Sequence, residues 1–194
     1  NQMAAITAAP EKALKWGMSQ KHIFDFADGI GGRYSLWSAV GLPIMIAIGN
    51  KNFISFLDGA NQIDEHVLST PTNQNIAIIL ALLRIWNRNF LNLPMHGIMP
   101  YDHRLARLPA WAQQLEMESN GKSVDIRGYA LTQPASPLIW GEAGTNAQHS
   151  FFQYLHQGIE QQSLDILIPR NSLGCSLPDG WQESHQTLVY NALA

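Results

Sequence analysis

The sequence predicts an α/β fold in which helices cover both faces of a mostly parallel β-sheet. Three apolar runs of four or five residues, at positions 96–100, 137–140 and 165–169, have the length of buried strands. Longer segments with helical spacing of apolar residues lie between them, and this alternation is typical of parallel sheets. Ligands bind outside the carboxyl ends of the strands in such sheets, so we expect a functional site at that edge.

Helical periodicity dominates the first half of the chain. A short helix is expected at residues 10–16. The almost wholly apolar segment 36–48 predicts a helix buried on most sides, and Pro43 predicts a kink or a fresh helix start there, because proline has no backbone N–H to donate. Two further helices are expected at residues 52–68 and 74–90. The side chains expected to face inward from the first of these two are Phe53, Phe56, Leu57 and Ile63.

The second half of the chain alternates helices with the three predicted strands. Residues 101–117 have helical spacing, and we expect a kink or a new start at Pro109. The polar segment 122–133 contains Gly128 and predicts an excursion or a hairpin. A helix at residues 146–158 is expected after the second strand.

The composition is that of a globular protein. The chain has 194 residues, of which 46% are hydrophobic and 14% charged, and its formal net charge is −3. Because the chain has no basic field, nucleic acid and anionic membranes are poor candidates as partners. The single cysteine, Cys175, excludes an internal disulfide and a cysteine-based zinc site, and it favours a reducing, cytoplasmic compartment.

A glycine-rich segment at residues 28–41 combines an acid, two adjacent glycines and an arginine at the entry of an apolar stretch. Gly31 and Gly32 allow backbone angles closed to other residues and let a ligand approach the main chain. Exposed N–H groups beside the Arg33 guanidinium make a place for an anion. The alternative interpretation is a tight turn in which Arg33 pairs with Asp28.

Glu118 is a candidate general base. It lies just past a predicted helix in the run MESNGK, beside a flexible glycine and several groups that can hold a carboxylate in place. The alternative is a solvated acid at a helix terminus, which is the commoner situation for an acidic residue.

The loop at residues 141–146, GEAGTN, follows a predicted strand and opens a predicted helix. Its N–H groups and the Thr145 hydroxyl are candidates to bind an oxyanion or a polyol. His149 is expected in the first turn of that helix, where it can exchange a proton near neutral pH, although a buried structural histidine is an equal alternative. His156 is expected on the same helical face as His149, so the two are considered as metal ligands. The sequence shows no third ligand for such a site. The remaining histidines show no arrangement beyond surface or packing roles: His22, His66, His96, His103 and His185.

Together these stretches resemble the glucose-6-phosphate isomerase (phosphoglucose isomerase) family. The resemblance covers nearly all of residues 20–190. Ala143, Ala147 and Pro43 stand where the family commonly has proline, glycine and serine, which affects loop stiffness and leaves the polar side chains in place. The matching motifs, in the family's order, are DGIGGRYSLWSAVG at 28–41, MESNGK at 117–122, PLIWGEAGTNAQHSFFQYLHQG at 137–158 and LDILIPR at 164–170.

The resemblance implies a role for each candidate residue. Glu118 matches the carboxylate that moves a proton between C1 and C2 of the sugar phosphate through a cis-enediol(ate). His149 matches the histidine that helps to open the sugar ring and reaches the site from the neighbouring subunit. Arg33 matches the arginine that faces the developing enediolate charge, with the Gly32 backbone beside it. The family uses no metal or organic cofactor.

The resemblance also implies that the chain is an incomplete copy of a two-domain fold. The family is a cytoplasmic homodimer of glycolysis and gluconeogenesis, built from two sugar-isomerase-type domains that are Rossmann-like three-layer sandwiches. Residues 1–45 are expected to end the smaller domain and residues 46–194 to begin the larger one. The chain lacks an initial methionine and a helix stop signal at its end, so we expect a piece of a longer protein. The family's phosphate-binding loop and catalytic lysine fall outside it.

A non-catalytic module that binds sugar phosphates or mediates dimerisation is the alternative function. A sensor must hold the sugar but needs no base at C1 and C2. The joint presence of Glu118 and His149 in their motifs therefore favours the enzyme.

Overall fold

The computed structural model of the chain describes residues 3–171 and 181–194. The chain divides into two compact units, Asn1–Ile79 and Leu80–Ala194. The domain boundary expected near residue 45 concerns a longer parent protein and stays a prediction. Among the described residues, no helix is both long enough and apolar enough to span a membrane.

The first unit begins with a small parallel sheet. Strand β1 (Ala5–Thr7) leads into helix α1 (Pro10–Lys15), and strand β2 (Ile23–Asp25) returns parallel to β1, with Ala5 opposite Ile23. The helix confirms the prediction for residues 10–16. The two strands were not predicted, because three residues are too few to show an alternating pattern.

Two helices follow in the first unit, α2 (Leu42–Ile48) and α3 (Asn50–Ser69). Pro43 lies in the first turn of α2, which confirms the predicted fresh start, and 3-10 turns replace the helix expected before it. The prediction that this segment is buried on most sides is wrong, since Ile46 is 73% exposed.

The inward face predicted for α3 is only partly correct. Phe53 is buried and Leu57 is half-buried, whereas Phe56 and Ile63 are exposed. Periodicity identifies the apolar side of a helix, but a unit of this size has too few elements to cover every apolar side chain.

A three-stranded parallel sheet forms the centre of the second unit. The strand order is β4–β3–β5, so the first strand in sequence lies in the middle. His96 of the central strand lies opposite Ile139 on one side and Ser163 on the other. The elements, in chain order, are α4 (Ile76–Ile85), which includes the division between the units, β3 (Met95–Pro100), α5 (Leu108–Gln113), β4 (Leu138–Trp140), α6 (Gly144–Gln148), α7 (Phe152–Gln157), β5 (Ser163–Leu167) and α8 (Trp181–Leu193).

The α/β prediction and all three predicted strands are confirmed. Two helices, α4 and α5, each continue into a π-helical turn, Trp86–Phe90 and Gln114–Glu118 respectively. Pro109 lies in the first turn of α5, which confirms the predicted new start. An antiparallel bridge between Val124 and Ala130 confirms the hairpin.

The single helix predicted at residues 146–158 is wrong. Helix α6 ends at Gln148, and α7 begins at Phe152. Phe151 has φ −138 and ψ 3, outside helical geometry, and the Ser150 hydroxyl donates to the Ala147 carbonyl at 3.2 Å. Serine side chains that bind nearby backbone compete with a continuous helix.

The core of the second unit lies at the carboxyl end of β3. Met99 and Tyr101 pack there with Ala147 of α6 and Ala192 of α8. Beside this cluster the rings of Trp140 and Phe151 meet edge to face, with their centroids 4.8 Å apart. Helix α6 is thereby fixed against the sheet.

Candidate functional site

A cavity of about 440 Å³ lies at the carboxyl ends of the parallel strands of the second unit. Tyr101 follows β3, Gly144 follows β4, and Pro169 follows β5; all three line it, together with polar side chains such as Thr145 and His103. Because β3 lies between β4 and β5, this is the edge at which the strand order reverses and at which open parallel sheets bind ligands. Glu118 and His149, which belong to the same unit, are not among the described residues that line this cavity.

Close packing requires glycine at two positions of the loop at residues 141–146. Gly141 has φ +145, and a Cβ there would lie 2.0 Å from the carbonyl oxygen of Ile98. A Cβ on Gly144 would lie 2.3 Å from the Tyr101 ring. The backbone of this loop therefore lies so close to Ile98 and Tyr101 that only glycine fits at these two positions. Packing explains both glycines of the loop that was considered as an oxyanion site.

His149 is exposed and directly follows the last residue of α6. Its backbone N–H donates to the Asn146 carbonyl at 3.1 Å. The prediction that it lies in the first turn of a helix is wrong, because the helix begins two residues earlier than expected and ends at Gln148.

A hydrogen-bonded network fixes the residue before His149. The Gln148 amide donates to the Tyr101 hydroxyl at 2.9 Å and to the Asn191 carbonyl at 2.7 Å. Burial raises the pKa of Tyr101, which stays neutral and donates to the same carbonyl at 3.3 Å. The position of His149 is therefore defined even though its side chain lies at the surface.

His149 and His156, which were considered as a pair of metal ligands, do not lie on one helix. His156 lies in α7, and a break separates it from His149. In the part of the chain that the structure describes, no three histidine, cysteine or acidic side chains are grouped closely enough to hold a metal ion. The expectation that the reaction needs no cofactor stays a prediction.

Glu118 is the last residue of the π-helical turn Gln114–Glu118, and it is exposed. The Lys122 ammonium donates to its backbone carbonyl, and the Asn120 amide donates to the Glu116 carboxylate at 3.2 Å. These contacts order the backbone around an acid that faces solvent. Glu118 was predicted just past the end of a helix, and this prediction is wrong, because the helical conformation continues through Asn120.

Arg33 and Gly32 belong to the first unit. Both lie in the 3-10 turn Gly32–Trp37, where Gly32 has φ +54, a left-handed conformation that favours glycine. The Ser35 hydroxyl donates to the Gly32 carbonyl at 2.7 Å. The half-buried Arg33 places its guanidinium carbon 5.5 Å from the centroid of the Tyr34 ring. The turn therefore gives the arginine a defined direction.

A hydrogen-bonded network around the buried His96, between β3 and β5, was not predicted from the sequence. The His96 Nε2 donates to Asp165 Oδ2 at 2.9 Å, and its Nδ1 lies 2.8 Å from the Ser163 hydroxyl. Arg84 of α4 lies 3.9 Å from the same carboxylate oxygen. The hydrogen bond from His96 lowers the pKa of Asp165. Ser163 and Asp165 follow His96 by 67 and 69 positions in sequence, so only the pairing of the strands reveals the cluster.

The whole chain, residues 1–194, matches the family model of phosphoglucose isomerase. The chain belongs to the phosphoglucose isomerase family. Curated relatives named glucose-6-phosphate isomerase include those of Chelativorans sp. (strain BNC1), 46% identical over 194 residues, and Xanthobacter autotrophicus, 49% identical over 192 residues. The alignments cover 100% and 98% of this chain but 35% and 34% of the relatives, so the chain spans about a third of their length.

Solved structures agree with this family membership. A glucose-6-phosphate isomerase from Chlamydia trachomatis superposes with a TM-score of 0.74 at 34% identity, covering 95% of this chain and 41% of that one. A hypothetical protein from Thermus thermophilus also gives a TM-score of 0.74, at 29% identity, covering 94% of this chain and 44% of that one. The arrangement of helices around parallel strands is thus a phosphoglucose isomerase fold.

Proposed function

We propose that this chain supplies part of the active site of a glucose-6-phosphate isomerase, an enzyme that interconverts glucose 6-phosphate and fructose 6-phosphate. The observation that carries the proposal is the match of all 194 residues to the family together with an exposed Glu118 at the end of an ordered turn. In this proposal the Glu118 carboxylate takes the proton from C2 of glucose 6-phosphate and delivers it to C1. Its exposure leaves it accessible to a substrate, as a general base must be.

Arg33 stabilises the intermediate in this proposal. Removing a proton next to a carbonyl builds negative charge on oxygen, and a guanidinium held in a fixed direction lowers the energy of that charge without reorganising. The left-handed conformation of Gly32 and its hydrogen bond from Ser35 support the assignment, because they order the turn that carries the arginine.

His149 assists ring opening in this proposal, and it does so in a second copy of the protein. Its exposed side chain directly after a fixed helix supports that role, since an imidazole offered to a neighbouring subunit must lie at the surface. The functional molecule is then a cytoplasmic homodimer that acts in glycolysis and gluconeogenesis and needs no cofactor.

The test of the proposed function is an isomerase assay of the full-length protein that carries this segment. With fructose 6-phosphate as substrate we expect formation of glucose 6-phosphate. Binding of the sugar phosphate, measured by calorimetry, without turnover would instead support the non-catalytic module and overturn the proposal.

A further inference from the structure

In the part of the chain that the structure describes, no neighbouring strand binds the backbone N–H and C=O of Ile139 in β4. The Leu138 N–H donates to the Pro94 carbonyl at 2.8 Å, on the side of β3. The N–H and C=O of one residue point to the same side of a strand and those of the next residue to the other side, so the N–H and C=O of Ile139 face away from β3. In the described residues β4 is the edge of its sheet, and Ile139 is only 1% exposed. Buried peptide groups of this kind require partners.

Two side chains supply those partners. The Met117 sulfur accepts a hydrogen bond from the Ile139 N–H at 3.2 Å, and the Gln113 amide donates to the Ile139 carbonyl at 3.3 Å. Gln113 ends α5, and Met117 lies one turn later in the π-helical turn. We call these two side chains the edge clamp. They pair with β4 as the backbone of another strand would, and they tie the turn to the sheet.

We propose that the edge clamp positions Glu118 for proton transfer, an inference that rests on the proposed function. Met117 directly precedes Glu118, so the hydrogen bond to Ile139 fixes the backbone from which the carboxylate extends. π-helical turns are rare and occur frequently at functional sites, and this one ends at the proposed base. A general base is effective only within a narrow range of positions relative to its proton. Gln113 and Met117 are therefore positioning residues.

The test uses the full-length protein that carries this segment. Met117→Leu and Gln113→Glu each keep the side-chain volume but remove one hydrogen-bonding group of the edge clamp. We expect kcat to fall about tenfold with little change in KM, because the base is displaced while the substrate-binding groups stay in place. Hydrogen exchange of the Ile139 amide, followed by mass spectrometry, should become faster in the Met117→Leu variant. Met99→Leu is the control for a change in packing, because it is the same substitution at a buried position of β3. We expect it to leave kcat and the hydrogen exchange of the Ile139 amide unchanged.

The two measurements separate the possible failures. If exchange at Ile139 accelerates while kcat stays unchanged, the edge clamp is structural only and the proposal is wrong. If exchange is also unchanged, the hydrogen bond is not important even for the strand, and the proposal is equally wrong. If the unaltered protein shows no isomerase turnover, the proposed function fails, and the positioning role fails with it. Should Gln113→Glu not fold, Met117→Leu decides the matter, since it introduces no charge.

Discussion

Replacing Gly141 by alanine should destabilise the second unit far more than the same change at another glycine with a positive φ. Gly141 has φ +145, and the added Cβ would lie 2.0 Å from the Ile98 carbonyl oxygen. Gly128 has φ +85, and a Cβ there has no described neighbour within 4 Å. Gly128→Ala is therefore a matched control, which has the backbone strain but lacks the overlap with β3.

The structure sets the size of the difference. Alanine at a positive φ costs about 1–2 kcal/mol, which is the whole effect expected at Gly128. At Gly141 the β3 backbone must also move, and such overpacking adds about 1–3 kcal/mol. We therefore expect Gly141→Ala to lower the free energy of unfolding by about 2–5 kcal/mol in all.

Urea unfolding followed by tryptophan fluorescence measures both variants against the unaltered chain, and Trp140, next to Gly141, reports on the affected region. Equal destabilisation by the two substitutions would refute the reasoning, because the close approach to Ile98 would then have no energetic consequence. Since Gly141 leads into α6, which ends before His149, a loss of stability there would also disturb the proposed position of the imidazole.

Three further outcomes are expected. Because the hydrogen bond from His96 lowers the pKa of Asp165, the ionised carboxylate stabilises the fold above the unfolded pKa of about 3.9, and this contribution is lost as the pH falls through the lower folded value. In urea titrations, Asp165→Asn should reduce the loss of unfolding free energy between pH 5 and pH 3, a range of about 2 pH units around that value. An unchanged slope of unfolding free energy against pH would contradict this. Tyr101→Phe removes hydrogen bonds to the Gln148 amide and the Asn191 carbonyl and should cost about 1–2 kcal/mol of unfolding free energy, whereas a neutral effect would mean that the network does not hold α6. The 194-residue chain alone should show little or no turnover of fructose 6-phosphate, and a rate near that of an intact enzyme would contradict this expectation.

The elements that could be predicted from the sequence are those with a strong local signal. The run from Met95 to Pro100 is apolar and short, and it forms the central strand. Pro43 and Pro109 each lie in the first turn of a helix, where a residue without a backbone N–H is tolerated. The three-residue strands β1 and β2 and the break after α6 have no such signal, because they depend on pairing and on a serine side chain.

The candidate site was predictable in its residues but not in its supporting contacts. Glu118 and Arg33 were found through their motifs, and each lies in a short turn whose geometry the motif does not encode. The His96 network joins residues far apart in sequence through the register of parallel strands, and the edge clamp joins α5 and its π-helical turn to β4. A register of this kind follows from the assembled sheet, so single-sequence patterns contain little information about it.

The most direct test of the central claim is the effect of Glu118→Gln on proton exchange in the full-length protein that carries this segment. The substitution removes the base but keeps the size of the side chain. We predict that the C2 proton of glucose 6-phosphate no longer exchanges with deuterated solvent, while the affinity for the sugar phosphate stays within a few-fold of that of the unaltered protein. Continued exchange at the original rate would contradict the assignment of Glu118 as the base, and loss of binding would point to a structural role.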